Sequence, residues 1–306
     1  MPTAPAYLIV VLVWATTPLA VKWSAEAGAP IGSLMLRMLL ATLFGILLLW
    51  CIGGRLAWHR RAVRGYLAAV PGVFGAMALS YQASLSVPSG LISVMFGLAP
   101  LVSGLMLQCL PGSVRLRGWH WLGCVIGVAG LLLIFSDALA PGSGTLPAIL
   151  MLFGAVCLFS GSAIAVQRAA AGEPPLNQTL GALALSLPCF VLLWLGSGEP
   201  LAIPLSQRGV WMVLYLAFFG SLLGFLCYYL VLSRLSAATV ALITLITPVL
   251  ALALGMLLNG ETPAISMLGG AALIVVALGA YLYGDRAVRK ALMPESRPLT
   301  QEAEAE

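Results

Sequence analysis

The side chains able to do chemistry here are few, and they sit inside long apolar runs. Trp14, Thr16 and Thr17 form a polar-aromatic patch near the N-terminus, and Phe159, Ser160, Gly161 and Ser162 form a similar one midway along the 306-residue chain. Tyr81 with Gln82, Tyr228 with Tyr229, and Thr244 with Thr247 stand in the middle of other apolar stretches. Arg37 lies early in another, and Pro100 and Pro248 interrupt two more. Polar groups in such runs are costly in hydrocarbon unless they face a bundle interior or a wet cavity, and a buried tyrosine hydroxyl wants a partner. They are therefore candidate cavity-lining residues, with interhelical packing the alternative for the tyrosines and Thr247 read as a partner for the backbone that Pro248 frees. The chemistry they offer is non-covalent: hydrogen bonding, ring stacking and a cation. Arg37 can either snorkel to the interface or meet a substrate carboxylate. Lys22 reads as an interfacial anchor; with an anionic or zwitterionic substrate, Lys22 and Arg37 would mark an outer vestibule. Pro100 and Pro248 each free a backbone carbonyl one turn earlier, which makes them candidate hinge or gating positions.

Catalytic constellations are missing. None of the ten acids (Glu26, Asp137, Glu173, Glu199, Glu261, Asp285, Glu295, Glu302, Glu304 and Glu306) falls in the interior of an apolar run, Asp137 standing at the end of one, which speaks against an intramembrane aspartyl protease and against proton relay by a midplane carboxylate. Leu101-Val102-Ser103-Gly104 lacks the leading glycine of a membrane serine protease, and no P-loop or acidic metal-binding cluster is present. The six cysteines are scattered without a CxxC pair and read as small packing residues. His59 and His120, in or beside basic loops, read as surface or interfacial. The expectation is a protein that is not an enzyme, with no catalytic residue, cofactor or metal.

The elements that must position these side chains are membrane spans. Hydrophobic residues make up 61% of the chain and charged residues only 8%, against about 25% charged in a soluble domain. Runs of about 20 apolar residues, enough to cross a bilayer, recur near 5–23, 31–52, 65–87, 89–110, 117–137, 147–168, 177–197, 209–232, 236–258 and 264–284. Turn signals such as Gly53-Gly54, Pro88-Ser89-Gly90, Pro141-Gly142 and Asn259-Gly260 separate them. The first has no basic leader or cleavage site and is expected to be retained. Twelve of the fifteen Lys and Arg residues fall in alternate loops and the C-terminal segment. That bias places both termini in the cytoplasm and makes the net charge of +5 a topology signal rather than a nucleic-acid patch. The segment from 285 onward is polar and is expected to be a disordered cytoplasmic tail.

The two halves repeat. Tyr81 precedes Pro100 by nineteen residues and Tyr229 precedes Pro248 by nineteen; the two segments are offset by 148, at which spacing Gly72 also meets Gly220. Ala20-Val21-Lys22 matches Ala165-Val166-Gln167, and the stretches from Gly123 and Gly270 are alike. A repeat of five spans is odd, so its second copy enters the membrane upside down; inverted repeats of this kind mark secondary transporters with a midplane site between the halves. Gly123/Gly127 and Gly220/Gly224 are close-packing pairs, expected to work within the protomer.

Taken together, Trp14 and Lys22, Arg37-Met38, the prolines at 100 and 248, Glu261 before the last span and the Gly-rich final span of each half resemble the drug/metabolite transporter superfamily, and in particular its ten-span branch with two EamA repeats. The first half departs from that pattern in having no Glu near Ser113. The resemblance implies an all-α membrane fold of about ten helices in two inverted five-helix repeats, over 5–137 and 147–284. It implies a multi-pass transporter in the cytoplasmic (inner) membrane, exporting amino acids or similar small metabolites by alternating access. Drug efflux, or a membrane binding or regulatory protein, is the alternative. The implied partners are a small-molecule substrate and the lipid bilayer, with a monomer or homodimer both open.

Overall fold

The computed structural model describes residues 2–26, 29–111, 116, 118–138, 145–169, 172–201, 207–234 and 237–292. Among these there is no strand, and every regular element is a helix. The first half runs α1 (Thr3–Ala25), α2 (Pro30–Cys51), α3 (Arg60–Val70), a π-helical segment Pro71–Gly75, α4 (Ala76–Ser84), α5 (Ser89–Phe96), α6 (Ala99–Gln108) and α7 (Gly118–Ala138). The second runs α8 (Leu146–Ala169), α9 (Pro175–Ser197), α10 (Gln207–Tyr215), a π-helical segment Leu216–Leu223, α11 (Gly224–Arg234), α12 (Ala237–Asn259) and α13 (Ile265–Leu292). Helix is what hydrocarbon demands, because it satisfies every backbone polar group within the segment.

Seven of the helices described are long and apolar enough to cross a membrane: Thr3–Ala25, Pro30–Cys51, Arg60–Ser84, Ser89–Gln108, Leu146–Ala169, Pro175–Ser197 and Arg208–Arg234. Three shorter apolar helices, Gly118–Ile134, Ile246–Asn259 and Ile265–Tyr281, lie where the other expected spans fall. Leu12, Leu47, Trp50, Leu192, Leu257 and Ile265 stand exposed on the outside, Ile265 at 89%, the arrangement lipid tails accept and water does not. The final helix continues to Leu292, so residues 285–292 of the segment expected to be disordered are helical; residues 293–306 lie outside those described.

The packing has a two-fold logic. α1 packs on α11 as α8 packs on α4, and α1 packs on α12 as α8 packs on α5 and α6. The second π-helical segment packs on α2 as the first packs on α9, and α10 packs on α2 as α3 packs on α9. Across the axis itself α2 meets α9, α5 meets α12, and α7 meets α13. Exchanging the halves leaves this set of pairs unchanged. Glycine makes the α7–α13 contact close: a Cβ on Gly123 would stand 2.7 Å from the Ala277 carbonyl, and one on Gly130 would stand 2.8 Å from that of Gly270.

Both π-helical segments fall at the same place in their halves and contain the paired glycines, Gly72 and Gly220. In the first, Pro71 has no N–H and its ring crowds the preceding turn; the N–H of Ala76 then reaches the Pro71 carbonyl five residues back. The second holds no proline, yet the Gly224 N–H bonds the Phe219 carbonyl at the same five-residue spacing.

Two expectations need correction. His120 is not on the surface: it is 3% exposed and packs edge-on against the Tyr281 ring, 4.8 Å between centroids. The two gating prolines are also not equivalent. Pro100 opens α6 after a real break at Gly97–Leu98, whereas Pro248 lies inside the continuous helix α12.

Candidate substrate cavity

Between the halves lies a cavity of about 90 Å³. Trp14, Thr17, Pro18 and Val21 of α1 form one wall, with Arg37 of α2 beside them. Met77 and Ser80 come from α4, and Ile92, Ser93 and Phe96 from α5. The second half contributes Phe159 of α8, Gly220 of the π-helical segment, Phe225 of α11 and Thr247 of α12.

Arg37 does not snorkel. Its side chain is 1% exposed, because α2 buries this face against the second π-helical segment and α4. The guanidinium Nε donates to Ser221 Oγ at 2.8 Å, Nη1 points to the Tyr81 hydroxyl at 3.5 Å, and the charge lies 5.8 Å from the Tyr81 ring centre. A Cβ at Gly220 would stand 3.2 Å from Nη2 and 3.5 Å from Thr17 Oγ1; glycine at 220 therefore makes the room that the guanidinium uses. Among the described residues no acid lies within ion-pair distance of Arg37; the pairs found are Lys22–Glu261 and His59–Glu173.

The other candidate residues divide. Trp14, Thr17, Arg37 and Phe159 line the cavity. Tyr81 is fully buried one layer behind it, accepting from Ser24 Oγ at 3.2 Å while facing Arg37. Gln82 does not belong there: it is exposed on the outside of the bundle, since the next residue along a helix turns about 100° away. Ser160 is buried, but its hydroxyl donates to the Ala99 carbonyl at 3.2 Å and makes a helix contact rather than a cavity wall. The side chain of Thr244 lies outside the described residues; Thr247, one turn on, is the threonine at the cavity. Tyr228 and Tyr229 border a separate space of about 10 Å³ with Gly72, Ser162 and Phe159, and Tyr228 packs on Trp14 at 5.0 Å.

That second space is the pseudo-symmetric twin of the first. At the repeat offset of 145 residues Trp14 corresponds to Phe159, Thr17 to Ser162, Pro18 to Ala163 and Val21 to Val166. At the offset of 148, Met77 corresponds to Phe225, Ser80 to Tyr228 and Gly220 to Gly72. The twins differ where it matters. Ser80 leaves the first open, while the Tyr228 ring fills the second. The prolines that open α2 and α9 align Arg37 with Ala182, so only the first twin holds a charge.

Ser221, Ser80 and Ser93 were missed from sequence. Serine in a membrane helix ordinarily bonds the carbonyl one turn back, as Ser80 does to Ala76 at 2.7 Å, so its type alone does not announce a cavity. For Ser221 the available signal was its place beside Gly220, a glycine with a repeat partner.

Near the ends of these helices, acidic side chains tie the halves together. Glu261 accepts from the Ser89 N–H at 3.0 Å at the start of α5 and from the Asn259 amide at 3.0 Å, and it lies 3.8 Å from Lys22 Nζ. Lys22 also donates to the Val87 carbonyl at 3.3 Å, which is more than a lipid-interface anchor does. Asn259 in turn accepts from Trp23 Nε1 at 2.6 Å, and the Arg208 guanidinium lies 3.6 Å from the Trp23 ring centre. Glu199 accepts from the N–H groups of Ile31 and Gly32 at the start of α2, at 2.8 and 3.0 Å. Carboxylates at helix N-termini answer unpaired N–H groups and the helix dipole.

An all-α membrane protein in exchange-related halves around a shared cavity has the build of a membrane transporter. The chain belongs to the EamA-like transporter family, whose pattern matches residues 2–136 and again 146–283. It is similar to the uncharacterized inner membrane transporter YedA of Escherichia coli strain K12, 28% identical over 320 aligned positions covering 100% of this chain and 98% of that protein, and equally to its counterparts in strains O6:H1 and O157:H7. A protein of known crystal structure, 24% identical, superposes over 92% of this chain and 99% of its own with a TM-score of 0.64, which shows a shared fold. The protein is a multi-pass membrane transporter of small molecules.

Proposed function

We propose that this transporter exports small carboxylate-bearing metabolites, amino acids or similar compounds, across the inner membrane by alternating access around the Arg37 cavity. The observation that carries the reading is the fully buried Arg37 at a cavity shared by both halves, with no acid paired to it among the described residues. A charge in that position is expensive, and charged residues inside spans characteristically mark a substrate pathway. The inner-membrane location follows the similarity to YedA, and export is the direction the family resemblance implies. No described acid borders the cavity, which supports facilitated exchange or coupling through something other than a buried carboxylate.

The test is counterflow in liposomes holding the purified protein, with a panel of labelled amino acids, organic acids and cationic drugs, with and without a pH gradient. Exchange of carboxylate-bearing compounds without a gradient, lost in Arg37→Gln, is the expected result. Exchange of cationic drugs alone would replace this reading with drug efflux. Accumulation that strictly requires a pH gradient and vanishes in Glu261→Gln would overturn the coupling.

A further inference from the structure

The cargo's carboxylate leaves open what else the cargo carries. We infer that the cavity is built for organic monoacids with an apolar body and no ammonium group, in preference to zwitterionic amino acids; this narrows the function proposed above and rests on it.

Arg37 brings a positive charge to the lining, and among the described residues no carboxylate borders the cavity to receive a cation. A carboxylate seated on Arg37 would neutralise a buried charge. An ammonium entering with it would lose its hydration with no partner in exchange. Aromatic faces could take a cation, but the rings here are engaged with one another. Trp14 meets Phe159 edge-on at 5.8 Å and tilts against Tyr228, and Phe159 meets Phe96 edge-on at 5.7 Å.

The donors of Arg37 are directional. Nε is committed to Ser221 and Nη1 is turned toward Tyr81. Nη2 lies beside Gly220, itself a cavity-lining residue, and is the edge left for an incoming carboxylate. Around that edge the walls are mostly apolar, so the group attached to the carboxylate is best an aromatic or branched aliphatic body, with Ser93 and Thr247 able to meet one neutral polar atom. The twin space reinforces the assignment. Ala182 replaces the arginine there and Tyr228 occupies the volume, so of the two spaces only the first offers an anion seat.

A matched series separates the alternatives: 3-phenylpropionate, phenylalanine and phenethylamine share one body and differ in their charges. In counterflow with the full-length protein in liposomes, 3-phenylpropionate should exchange faster than phenylalanine by about tenfold or more, the equivalent of at least one unsatisfied buried group. Phenethylamine should neither exchange nor compete. Arg37→Gln should remove the advantage of the acid, and Arg37→Lys should keep part of it. Phenylalanine exchanging as fast as 3-phenylpropionate would overturn the inference while leaving the carboxylate transporter intact, whereas wild-type exchange of the acid by Arg37→Gln would overturn both this inference and the Arg37 reading it rests on. The ratio in the wild type stands as a test even where a variant fails to fold. Silence across both this series and the earlier panel would overturn both readings.

Discussion

Arg37 is held by its neighbours rather than tolerated by them. An arginine at a helix centre costs about 2.5–3.5 kcal/mol on insertion scales, and the protein offsets this with a hydroxyl acceptor on Nε, an aromatic hydroxyl near Nη1 and a glycine that leaves room for Nη2. The distances rank these contributions. The Ser221 bond, at 2.8 Å, is a full hydrogen bond to a charged group, about 1.5–3 kcal/mol; the Tyr81 contact, at 3.5 Å, is at the limit of one. Ser221→Ala should therefore reduce exchange more than Tyr81→Phe does, in membranes carrying equal amounts of protein; the reverse order would mean that Tyr81 touches substrate directly. Gly220→Ala puts a methyl group against the guanidinium. The Arg37 head and the Leu216 side chain, 3.2 and 3.1 Å from that methyl group, must each give way slightly, at about 1 kcal/mol, so a rise in KM of about fivefold is expected with normal expression. An unchanged KM would show that Arg37 does not depend on that side.

Among elements, the end-of-helix clasp at Glu261 has a pH signature. Burial pushes its carboxyl upward, but the Ser89 N–H, the Asn259 amide and the Lys22 charge outweigh that and hold it below the usual carboxylate range. A carboxylate lowered on folding adds stability that is present above its unfolded value and is lost as pH falls through the folded one. Thermal unfolding in detergent should thus show Glu261→Gln less stable than wild type at pH 7, with the two converging as the pH drops below about 4.5. A difference that persists unchanged in acid would mean that the clasp works by shape alone. The break between α5 and α6 belongs to this scale as well: a Cβ at Gly97 would stand 2.8 Å from the Val94 carbonyl and 3.4 Å from the Pro248 ring, so Pro248 packs against the joint that precedes Pro100.

For the whole molecule, the two-fold relation makes the twin cavities a built-in comparison. If volume at the second twin is set by the Tyr228 ring, Tyr228→Ser copies the residue of the first twin and should open a second apolar space without creating anion exchange there, because Ala182 supplies no charge. The readout is exchange of 3-phenylpropionate in the double variant Arg37→Gln/Tyr228→Ser, which should stay at the level of Arg37→Gln; recovery would show that volume rather than charge selects the cargo. The orientation of the molecule is tested on a cysteine-free background. A cysteine at Ser206 should react in intact cells with an impermeant thiol reagent and one at Ser296 should not; the opposite pattern reverses the topology.

The helical membrane fold, the repeat and the family were legible in the chain itself, because each rests on composition or on spacing: long apolar runs, basic charge biased to alternate loops, and the same Tyr-to-Pro interval twice. The candidate residues were legible as types, since a polar side chain in an apolar run stands out wherever it points. Direction is what spacing cannot supply. Tyr81 and Gln82 are neighbours in sequence, yet one is buried behind Arg37 and the other faces outward, because a helix turns through a wide angle at each residue. The tertiary structure alone decided that Arg37 is buried rather than snorkelling, since its depth depends on which helix covers it. It also decided that the paired tyrosines sit at different cavities and that Ser221 and Thr247 belong to the site, for these contacts join residues from opposite halves of the chain.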